Sequence, residues 1–355
     1  MKAAVLTANK KINIENLVLD SLKSTHCRVK IKNVGICSSD IQRGYGDGAY
    51  FYPLVMGHEI SGEITEVGAE ISEFKIGDRV AVFPLLPCFK CKSCSRNTYT
   101  QCQNYSYYGS RQHGGYAEYL DVYTWNLLKI PDEVSLEDAA EIEPFAVALH
   151  AMKKGGLLNG KPNNINSIAI IGAGFLGLLI TQIIHHVHQG ITVTIIDRNQ
   201  FKLKIAEQYG AKIRTLNSKE EWINFLTKHK ASFDLVIEVT GTPASFSNAI
   251  EMTARNGKTL WMGNITDDLS LSKRLVSDIL RKEIKIIGTW NSEYNPTAES
   301  DDWRQALSLI SEGIYPSDLV THNIPLEGLS DILLRLYKHK NAGERFDCIK
   351  AMVRL

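Results

Sequence analysis

Four cysteines stand close together in a segment that shows no helical or strand periodicity. They follow the spacing C-x2-C-x2-C-x7-C, at Cys88, Cys91, Cys94 and Cys102. Four thiolates in tetrahedral geometry bind one zinc ion and leave no position open for a substrate. An iron–sulfur cluster is the alternative, but the usual ferredoxin run has three residues before its last cysteine and then a proline, whereas Gln103 follows here. The spacing therefore favours a structural zinc ion that orders the loop from Phe83 to Gly109.

A glycine-rich turn directly follows an apolar run and opens a helical pattern. Its sequence is Gly172-Ala-Gly174-Phe175-Leu176-Gly177, which has the form G-x-G-x-x-G. The first glycine permits a tight turn, the second lets the backbone approach a diphosphate, and the third lets strand and helix pack closely. The helix N-terminus, at Phe175 and Leu176, then offers free N–H groups to the negative charge. Because a glycine turn alone is a weak signal, its position between a strand and a helix carries the prediction of a dinucleotide site.

An acidic residue lies at the end of the next predicted strand, twenty residues beyond Gly177. Asp197 at this position can accept hydrogen bonds from both hydroxyls of an adenosine ribose and would repel a 2′-phosphate. Arg198 and Lys202 follow it and could weaken that discrimination, because cations near the ribose can neutralise a phosphate. We therefore expect NAD as the cofactor and keep NADP as the alternative.

Three residues far apart in the chain could form a second, open metal site. Cys37 ends an apolar strand pattern, His58 lies in Gly57-His58-Glu59, and Glu143 precedes a proline in a helical pattern. Taken singly, the cysteine would be interpreted as a small buried side chain and the histidine as a core residue with its hydrogen bonds satisfied. Beside a dinucleotide fold they favour zinc, because sulfur, nitrogen and oxygen ligands leave a fourth position for water or a substrate oxygen.

These motifs together resemble those of the zinc-dependent medium-chain dehydrogenases. The likeness extends over essentially the whole chain, through Gly57-His58-Glu59, the four cysteines, the glycine turn and Gly114-Gly115-Tyr116-Ala117-Glu118-Tyr119. The resemblance implies that Cys37, His58 and Glu143 bind the catalytic zinc ion, with Glu59 as a nearby or exchanging carboxylate.

The resemblance also implies a domain order. A β-rich GroES-like catalytic domain, residues 1–150 completed by 292–355, would enclose a Rossmann domain of doubly wound parallel sheet, residues 151–291, in an α/β protein. Alternation of apolar runs with helical patterns supports the parallel sheet. The predicted strands are Ser167–Ile171, Thr192–Ile196, Leu235–Val239, Thr259–Met262 and Ile284–Gly288, and the predicted helices are Leu176–Val187, Gln200–Tyr209, Glu220–Lys230, Pro243–Arg255 and Leu275–Arg281. A further helical pattern runs from Ser135 to Lys154, and the tail after Ser300 predicts two helices and two short strands that pack on the first domain.

In such an enzyme, a hydride passes from a secondary carbinol carbon to the nicotinamide of NAD. A bound metal favours loss of the hydroxyl proton. Cys37-Ser38-Ser39-Asp40 matches the C-x-S-D motif of the family, which implies that Ser39 passes this proton outward, although a helix N-cap at Ser39 or Ser38 is the alternative. Many relatives have a histidine two residues after the aspartate of this motif, where the present chain has Gln42, so the relay must end on water, the ribose or another group.

Within the family, the resemblance is closest to dehydrogenases of polyol phosphates. The segments that carry it are Tyr52-Pro53, Pro84–Phe89, Gly109-Ser110-Arg111, Ile142-Glu143-Pro144, Ile279–Glu283 and Ile287–Trp290. A phosphate at the far end of the substrate needs a cation, and Arg43 and Arg111 are the candidates because both adjoin the predicted metal site. A role as solvated surface residues is the alternative for each.

Composition and charge exclude several other classes. Lys and Arg total 40 against 39 Asp and Glu, so the formal charge of +1 supplies no basic field for nucleic acid or an anionic membrane. Seven cysteines cannot form a closed disulfide set, and the first residues show no secretory signal, so we expect a cytoplasmic protein. The apolar stretch Ile168–Ile184 approaches the length of a membrane span, but its glycine turn predicts a strand and a helix instead.

Two alternatives to a polyol-phosphate dehydrogenase remain open. The first is a dehydrogenase of free polyols such as sorbitol or xylitol, because sorbitol and threonine dehydrogenases share the general motifs. The second is a noncatalytic NAD(H)-binding redox sensor of the same fold. Retention of all three open-site ligands and Ser39 favours the enzyme. The resemblance also implies a homodimer or homotetramer.

Overall fold

The computed structural model describes residues 1–158 and 164–355. Contacts between residues divide the chain into two units. The first unit comprises Met1–Ala146 and Ser292–Leu355, and the second comprises Val147–Asn291.

The first unit is built mainly of β-strands, as the family resemblance implies. Before the second unit, its strands are β1 (Lys2–Ala8), β2 (Lys11–Asn16), β3 (His26–Gly35), β4 (Leu54–Val55), β5 (Glu59–Val67), β6 (Arg79–Val82), β7 (Leu85–Leu86), β8 (Ser106–Tyr107), β9 (Tyr119–Tyr123) and β10 (Leu127–Lys129). Its helices are α1 (Ser38–Tyr45), α2 (Leu136–Ala140) and the start of α3 (Ile142–Gly155). After the second unit come α9 (Asp302–Ser311), β17 (Val320–Pro325), α10 (Leu329–Ala342) and β18 (Lys350–Arg354).

The largest sheet of the first unit has the strand order β10-β6-β5-β3-β18-β17, with β9 also paired to β3. Strands β3 and β5 are antiparallel, and Gly35 at the carboxyl end of β3 lies opposite Glu59 at the start of β5. Strand β18 is also antiparallel to β3, with Met352 opposite Gly35. The end of β3 and the starts of β5 and β18 therefore meet at one edge of the sheet. The pairing of β18 with β3 confirms that the tail packs on this unit.

The second unit is a single parallel sheet with helices between its strands. Its strands are β11 (Ser167–Ile171), β12 (Thr192–Asp197), β13 (Lys212–Thr215), β14 (Phe233–Glu238), β15 (Thr253–Trp261) and β16 (Lys285–Gly288). Its helices after α3 are α4 (Phe175–Val187), α5 (Gln200–Gln208), α6 (Lys219–His229), α7 (Pro243–Met252) and α8 (Lys273–Lys282). The order β13-β12-β11-β14-β15-β16 is that of a Rossmann sheet, which confirms the predicted fold class.

The structure corrects three of the sequence-based elements. Strand β13 was not predicted, because its sequence Lys-Ile-Arg-Thr at the sheet edge lacks a continuous apolar run. Helix α7 ends at Met252 instead of Arg255, since Thr253 already pairs with Phe233 in the sheet. The helical pattern from Ser135 to Lys154 is two helices, α2 and α3, and not one.

One further bound differs, because the strand predicted from Thr259 begins at Thr253; the other predicted bounds of the second unit agree with the structure to within two residues. Ser135 caps α2, where its side chain accepts a hydrogen bond from the backbone N–H of Asp138 at 3.0 Å. The apolar stretch that begins at Ile168 is divided into strand β11 and helix α4 by the glycine turn. No helix in the described part of the chain has the length and apolar character needed to cross a bilayer.

Candidate functional site

The four predicted cysteines converge in one cluster of the first unit. Their sulfur atoms lie within 4.8 Å of one another, and three pairs are separated by 3.6 Å (Cys91 and Cys94), 3.8 Å (Cys91 and Cys102) and 4.0 Å (Cys88 and Cys94). Zinc–sulfur bonds of 2.3 Å in a tetrahedron require sulfur separations of about 3.8 Å. The cluster therefore fits one zinc ion and is too small to surround an iron–sulfur cluster.

Backbone and aromatic contacts hold this cysteine lobe in place. The N–H groups of Cys94 and Gln103 donate to the sulfur of Cys91 and lower the pKa of that thiol to about 6, so that a thiolate is available at neutral pH. Phe89 and Tyr99, within the lobe, pack edge-on against Trp125 with ring centroids 5.3 and 5.1 Å away. The otherwise irregular segment is thus anchored at its cysteine cluster and by two aromatic contacts with Trp125.

The strand register of the first unit brings Cys37 and His58 together. Cys37 follows the end of β3 and caps helix α1, and His58 precedes β5. Ligand atoms of Cys37, His58 and Glu59 lie within 4.8 Å of one another, and both His58 and Glu59 are buried. A thiol, an imidazole and a carboxylate at this separation form a donor set suited to zinc.

Asp40 links the candidate ligands to their surroundings. Its Oδ1 lies 3.4 Å from His58 Nδ1, and its Oδ2 accepts hydrogen bonds from the backbone N–H of Cys37 at 3.1 Å and the hydroxyl of Tyr116 at 3.0 Å. Burial alone would raise the pKa of Asp40, but His58, Arg43 and the Cys37 hydrogen bond lower it to about 2. The ionised carboxylate stands beside Nδ1 of His58, which leaves Nε2 for a metal.

A buried lysine accompanies Glu59. Lys350 Nζ lies 2.5 Å from Glu59 Oε2 and 3.1 Å from Glu141 Oε2, and none of the three side chains is more than 4 % exposed. Burial raises the pKa of Glu141 to about 8 against the attraction of Lys350. The two carboxylates hold the pKa of Lys350 above its usual value although burial opposes the charge. The ammonium group of Lys350 thus pairs with the carboxylates of both Glu59 and Glu141 at the edge of the candidate metal site.

Glu143, the third predicted ligand, lies nearby but outside the tight group of three. It is buried, and its Oε1 accepts a hydrogen bond from the hydroxyl of Tyr107 at 3.1 Å. Burial raises its pKa to about 7; the carboxylate of Glu59 adds to the rise, whereas His58 opposes it. The ring of Tyr107 is 5.7 Å from that of His58, so Glu143 faces the same site. Its role as a zinc ligand remains a prediction.

The two predicted phosphate-binding arginines have different surroundings. Arg43 donates to Asp40 Oδ1 at 3.1 Å and to Ser39 Oγ at 2.9 Å, so its charge is already paired. Ser39 is the second residue of α1, where Cys37 occupies the N-cap position. The N-cap alternative for Ser38 or Ser39 is therefore wrong.

Arg111 is instead held by aromatic rings. Its guanidinium carbon lies 4.2 Å from the ring centroid of Tyr105 and 4.9 Å from that of Tyr50, and it donates to the carbonyl of Tyr105 at 3.0 Å. Its backbone N–H bonds to the carbonyl of Tyr107, the residue that holds Glu143. Within the described ranges, no carboxylate pairs with this guanidinium.

The glycine turn of the second unit has the form that a dinucleotide site requires. Gly172 has a φ of 110°, and a Cβ on Gly177 would lie 2.0 Å from the Gly172 carbonyl oxygen, so both positions need glycine. A Cβ on Gly174 would meet no atom within 4 Å, which leaves open space in front of the backbone. Helix α4 starts at Phe175 and Leu176, and the positive end of a helix dipole lies at its N-terminus. A diphosphate fits this arrangement.

Asp197 ends β12 beside the turn. Its Oδ2 accepts a hydrogen bond from the N–H of Ala173 at 2.7 Å, and its Oδ1 accepts one from Asn199 at 2.8 Å. Each carboxylate oxygen keeps a second lone pair for a ribose hydroxyl. Arg198 is exposed and Lys202 is half-buried on the segment that follows.

Several residues at the metal site escaped the sequence analysis. Asp40 stood in the C-x-S-D motif without a role, and Glu141 stands one residue from the predicted Ile142-Glu143-Pro144 segment. The sequence did not indicate that Tyr107 and Lys350 lie at this site, because a lone tyrosine in a loop and a lysine before an apolar strand are common on protein surfaces. Their positions follow only from the strand register.

The cysteine cluster makes a direct prediction about metal content. Cys94→Ser should reduce zinc from two ions per chain to one, because serine is a poor zinc ligand and three thiolates hold the ion weakly. Inductively coupled plasma mass spectrometry on purified protein measures this. Cys27→Ala, which removes a buried thiol outside the cluster, should keep both ions; unchanged zinc in Cys94→Ser would contradict the site.

The contact between Asp40 and His58 makes a second prediction. Asp40→Asn should weaken zinc binding at Cys37 and His58 by about 10–100-fold, because a carboxylate that orients a histidine ligand strengthens its metal bond. Competition with a chromogenic chelator measures the affinity. Asp138→Asn is the matched control, since Asp138 is a buried acid of the same unit that bonds to Ser135 and Ser317. Equal weakening in both variants would refute a specific role for Asp40.

Comparisons with known proteins agree with this geometry. Family models described as "Alcohol dehydrogenase GroES-like domain" and "Zinc-binding dehydrogenase" match residues 23–132 and 176–312. The chain is 36% identical over 350 residues to galactitol 1-phosphate 5-dehydrogenase of Escherichia coli (strain K12), covering 97% of this chain and 99% of that protein. It is 30% identical over 364 residues to sorbitol dehydrogenase of Bacillus subtilis (strain 168), covering 99% and 97%.

A solved structure shows the same fold. The crystal structure of galactitol-1-phosphate dehydrogenase from Escherichia coli superposes with a TM-score of 0.86 at 31% identity, and all of both chains is covered. These matches, together with the cysteine cluster that fits zinc, confirm the resemblance inferred from the motifs. The chain belongs to the zinc-binding alcohol dehydrogenase family, with a GroES-like domain and a Rossmann domain.

Proposed function

We propose that this protein oxidises a secondary hydroxyl of a polyol phosphate with NAD, and that galactitol 1-phosphate is converted to tagatose 6-phosphate. The observation that carries the proposal is the donor set of half-buried Cys37 with buried His58 and Glu59, supported by Asp40 and Lys350. The identity of 36% to galactitol 1-phosphate 5-dehydrogenase supports the substrate class.

The residues of the metal site have separate tasks in this proposal. Cys37, His58 and Glu143 hold a zinc ion, which when bound supplies the Lewis acidity that eases loss of the hydroxyl proton. Asp40 orients His58 through Nδ1. Glu59, paired with Lys350, lies close enough to Cys37 and His58 that its carboxylate could serve as a further oxygen ligand.

Ser39 is the proposed exit for the substrate proton. Its hydroxyl oxygen accepts a hydrogen bond from Arg43, which leaves the hydroxyl hydrogen free to be directed toward a substrate or water. Arg43, held by Asp40, fixes the Ser39 side chain. Gln42 cannot titrate, so the proton continues to water or to a ribose hydroxyl.

NAD is the proposed cofactor in the second unit. The open space in front of Gly174 and the start of α4 accept the diphosphate, and Asp197 accepts the adenosine ribose hydroxyls. Both oxygens of Asp197 are already held by backbone N–H groups, so the carboxylate is fixed before the ribose arrives. A 2′-phosphate would meet that fixed negative charge, which favours NAD over NADP.

Arg111 is the better supported of the two phosphate-binding candidates. The charge of Arg43 is paired with Asp40, whereas Arg111 stacks between Tyr50 and Tyr105 without a carboxylate partner among the described residues. A guanidinium fixed by aromatic rings loses little side-chain entropy when it binds a phosphate. Its backbone bond to Tyr107 connects it to the neighbourhood of Glu143.

A free polyol is the second candidate substrate. The 30% identity to a sorbitol dehydrogenase over nearly the whole chain favours it. The metal site would act in the same way on both substrates, and only the phosphate contact would differ.

We also propose that the protein is a cytoplasmic homodimer or homotetramer. The exposed apolar side chains of Val276, Leu280 and Trp290 support a contact between subunits.

Initial rates with a substrate panel test the proposal. The zinc-loaded enzyme should reduce NAD with galactitol 1-phosphate at a kcat/KM at least about tenfold above that with galactitol or sorbitol, because one phosphate–guanidinium contact contributes about 1.5–3 kcal/mol. NADP should be the poorer cofactor. Turnover of free polyols alone would establish a free-polyol dehydrogenase. If no alcohol is turned over, the noncatalytic NAD(H)-binding redox sensor is the remaining hypothesis.

The phosphate contact predicts a selective effect of one arginine. Arg111→Ala should raise the KM for galactitol 1-phosphate by about 10–100-fold and change that for free galactitol by less than about twofold. Arg335→Ala is the matched control, since its guanidinium stacks on Phe346 at 4.1 Å on helix α10, and it should change neither value.

An effect of Arg111→Ala that is equal on both substrates would refute the phosphate role. Arg43→Ala provides the contrast, because loss of the contacts to Asp40 and Ser39 should lower kcat for both substrates alike.

A further inference from the structure

A buried carboxylate at the carboxyl end of β14 organises the loop that follows it. Glu238 is the last residue of β14 and is 0 % exposed. Its Oε1 accepts hydrogen bonds from the N–H groups of Thr240 at 2.7 Å and Gly241 at 2.9 Å, and from the hydroxyls of Thr240 at 2.5 Å and Ser245 at 2.8 Å. Four donors on one oxygen stabilise the buried charge and fix the loop in one conformation.

This loop packs directly against the glycine turn. A Cβ added to Gly172 would lie 2.7 Å from the Cγ2 of Thr240 and 2.9 Å from the Cγ2 of Val239. A Cβ on Gly177 would also come within 3.4 Å of Val239. Any shift of the loop therefore moves the atoms against which the turn is packed.

The loop after β15 is tied to the same residue. The backbone carbonyl of Glu238 accepts hydrogen bonds from the N–H groups of Met262 and Gly263, each at 3.0 Å. A Cβ on Gly263 would lie 2.3 Å from the nitrogen of Gly241 and 2.6 Å from Glu238 Oε2. Glu238 thus connects the loops that follow the neighbouring strands β14 and β15. Its side chain binds the loop after β14, and its backbone carbonyl binds the loop after β15.

The position of these loops connects them to cofactor binding. Strands β11 and β14 are neighbours, and the chain runs from β11 to one side of the sheet and from β14 to the other. Ligands of such sheets bind outside the carboxyl ends of the strands at this switch point. The glycine turn after β11 forms one side of that crevice, and the loop held by Glu238 forms the other.

The second carboxylate oxygen argues against a purely stabilising role. Oε2 of Glu238 is buried and has no hydrogen-bond partner among residues 1–158 and 164–355. A buried acceptor without a donor is destabilising, and native proteins contain few of them. A side chain selected only for stability would not retain this cost.

We propose that Glu238 is a positioning residue for the dinucleotide: it holds the loops after β14 and β15 in the conformation that the bound cofactor requires. The proposal rests on the NAD binding proposed above. Glu238 belongs to the second unit, whereas the proposed metal ligands and the proposed phosphate contact belong to the first, so we expect its effect on the affinity for the cofactor.

The same strand supplies a matched control. Asp234, near the amino end of β14, accepts hydrogen bonds through Oδ2 from the N–H groups of Asn166 and Ser167 and from the Ser167 hydroxyl, at 2.9–3.0 Å. Both acids organise backbone N–H groups beside β11 and β14. Only Glu238 does so at the carboxyl end of the strands, where the ligand binds.

Titration of NADH fluorescence tests the proposal on the full-length protein. Glu238→Gln should raise the Kd for NADH by about tenfold or more, since the charge-assisted bonds to the loop are lost. Asp234→Asn should leave it within about twofold, although both variants lower Tm. In steady-state assays, the Glu238→Gln effect should appear in the KM for NAD, while kcat at saturating NAD stays within about twofold.

Two results would overturn the positioning role. These are an unchanged Kd in Glu238→Gln, or an equal rise in Glu238→Gln and Asp234→Asn. If Glu238→Gln does not fold, Ser245→Ala removes one donor and keeps the carboxylate, and an unchanged Kd in that variant overturns the role as well. Wild-type protein that binds no NADH would instead contradict the proposed cofactor, and that outcome is visible without any variant.

Discussion

The antiparallel pairing of β3 with β5 and β18 is the constraint on which the metal site depends. Because Gly35 lies opposite both Glu59 and Met352, the end of one strand meets the starts of two others. Cys37 and His58, twenty-one positions apart in sequence (58 minus 37), therefore become neighbours. A slip of one residue in the pairing of β3 with β5 would displace His58 relative to Cys37, and a slip in the pairing of β18 with β3 would displace Lys350 relative to Glu59.

Burial at this edge of the sheet makes charge balance the second constraint. Glu59, Glu141 and Asp40 are carboxylates with almost no solvent contact, and each has a cation or hydrogen-bond donor beside it. Lys350 serves the first two, and Arg43 and Tyr116 serve the third. An unpaired charge in such surroundings is far more costly than a paired one, so these contacts hold the donor set in a single arrangement. A bound divalent cation would add positive charge where carboxylates are in excess.

The second unit solves a different problem, which is to bring backbone close to a large anionic ligand. Gly172 supplies a left-handed backbone, Gly177 permits contact between turn and helix, and Gly174 leaves space in front of the chain. Asp197 at the end of β12 and Glu238 at the end of β14, the two strands that flank β11, then hold the surrounding backbone by accepting hydrogen bonds from its N–H groups. The site is therefore shaped by backbone atoms, and two acidic side chains keep those atoms in place.

The sequence by itself determined the features that depend on local spacing. The cysteine run, the glycine turn with Asp197 after the next strand, and the alternation of strands and helices each describe one continuous segment, whose geometry follows from residue type. Motif context also led to Cys37, His58 and Glu59. The sequence did not predict the edge strand β13 or the break between α2 and α3, because tertiary contacts override weak local preferences there.

Only the tertiary structure decided how distant residues complete these sites. Lys350 meets Glu59 across 291 residues, a contact set by the register of β18 and by no local pattern. Nothing in the sequence favoured either Arg43 or Arg111 over the other as the phosphate-binding residue. The structure distinguishes them, because Arg43 is paired with Asp40 whereas Arg111 stacks on tyrosine rings. Glu238 gave no signal because an acid at the end of an apolar strand is common, and its importance arises from the donors that three-dimensional packing gathers around it.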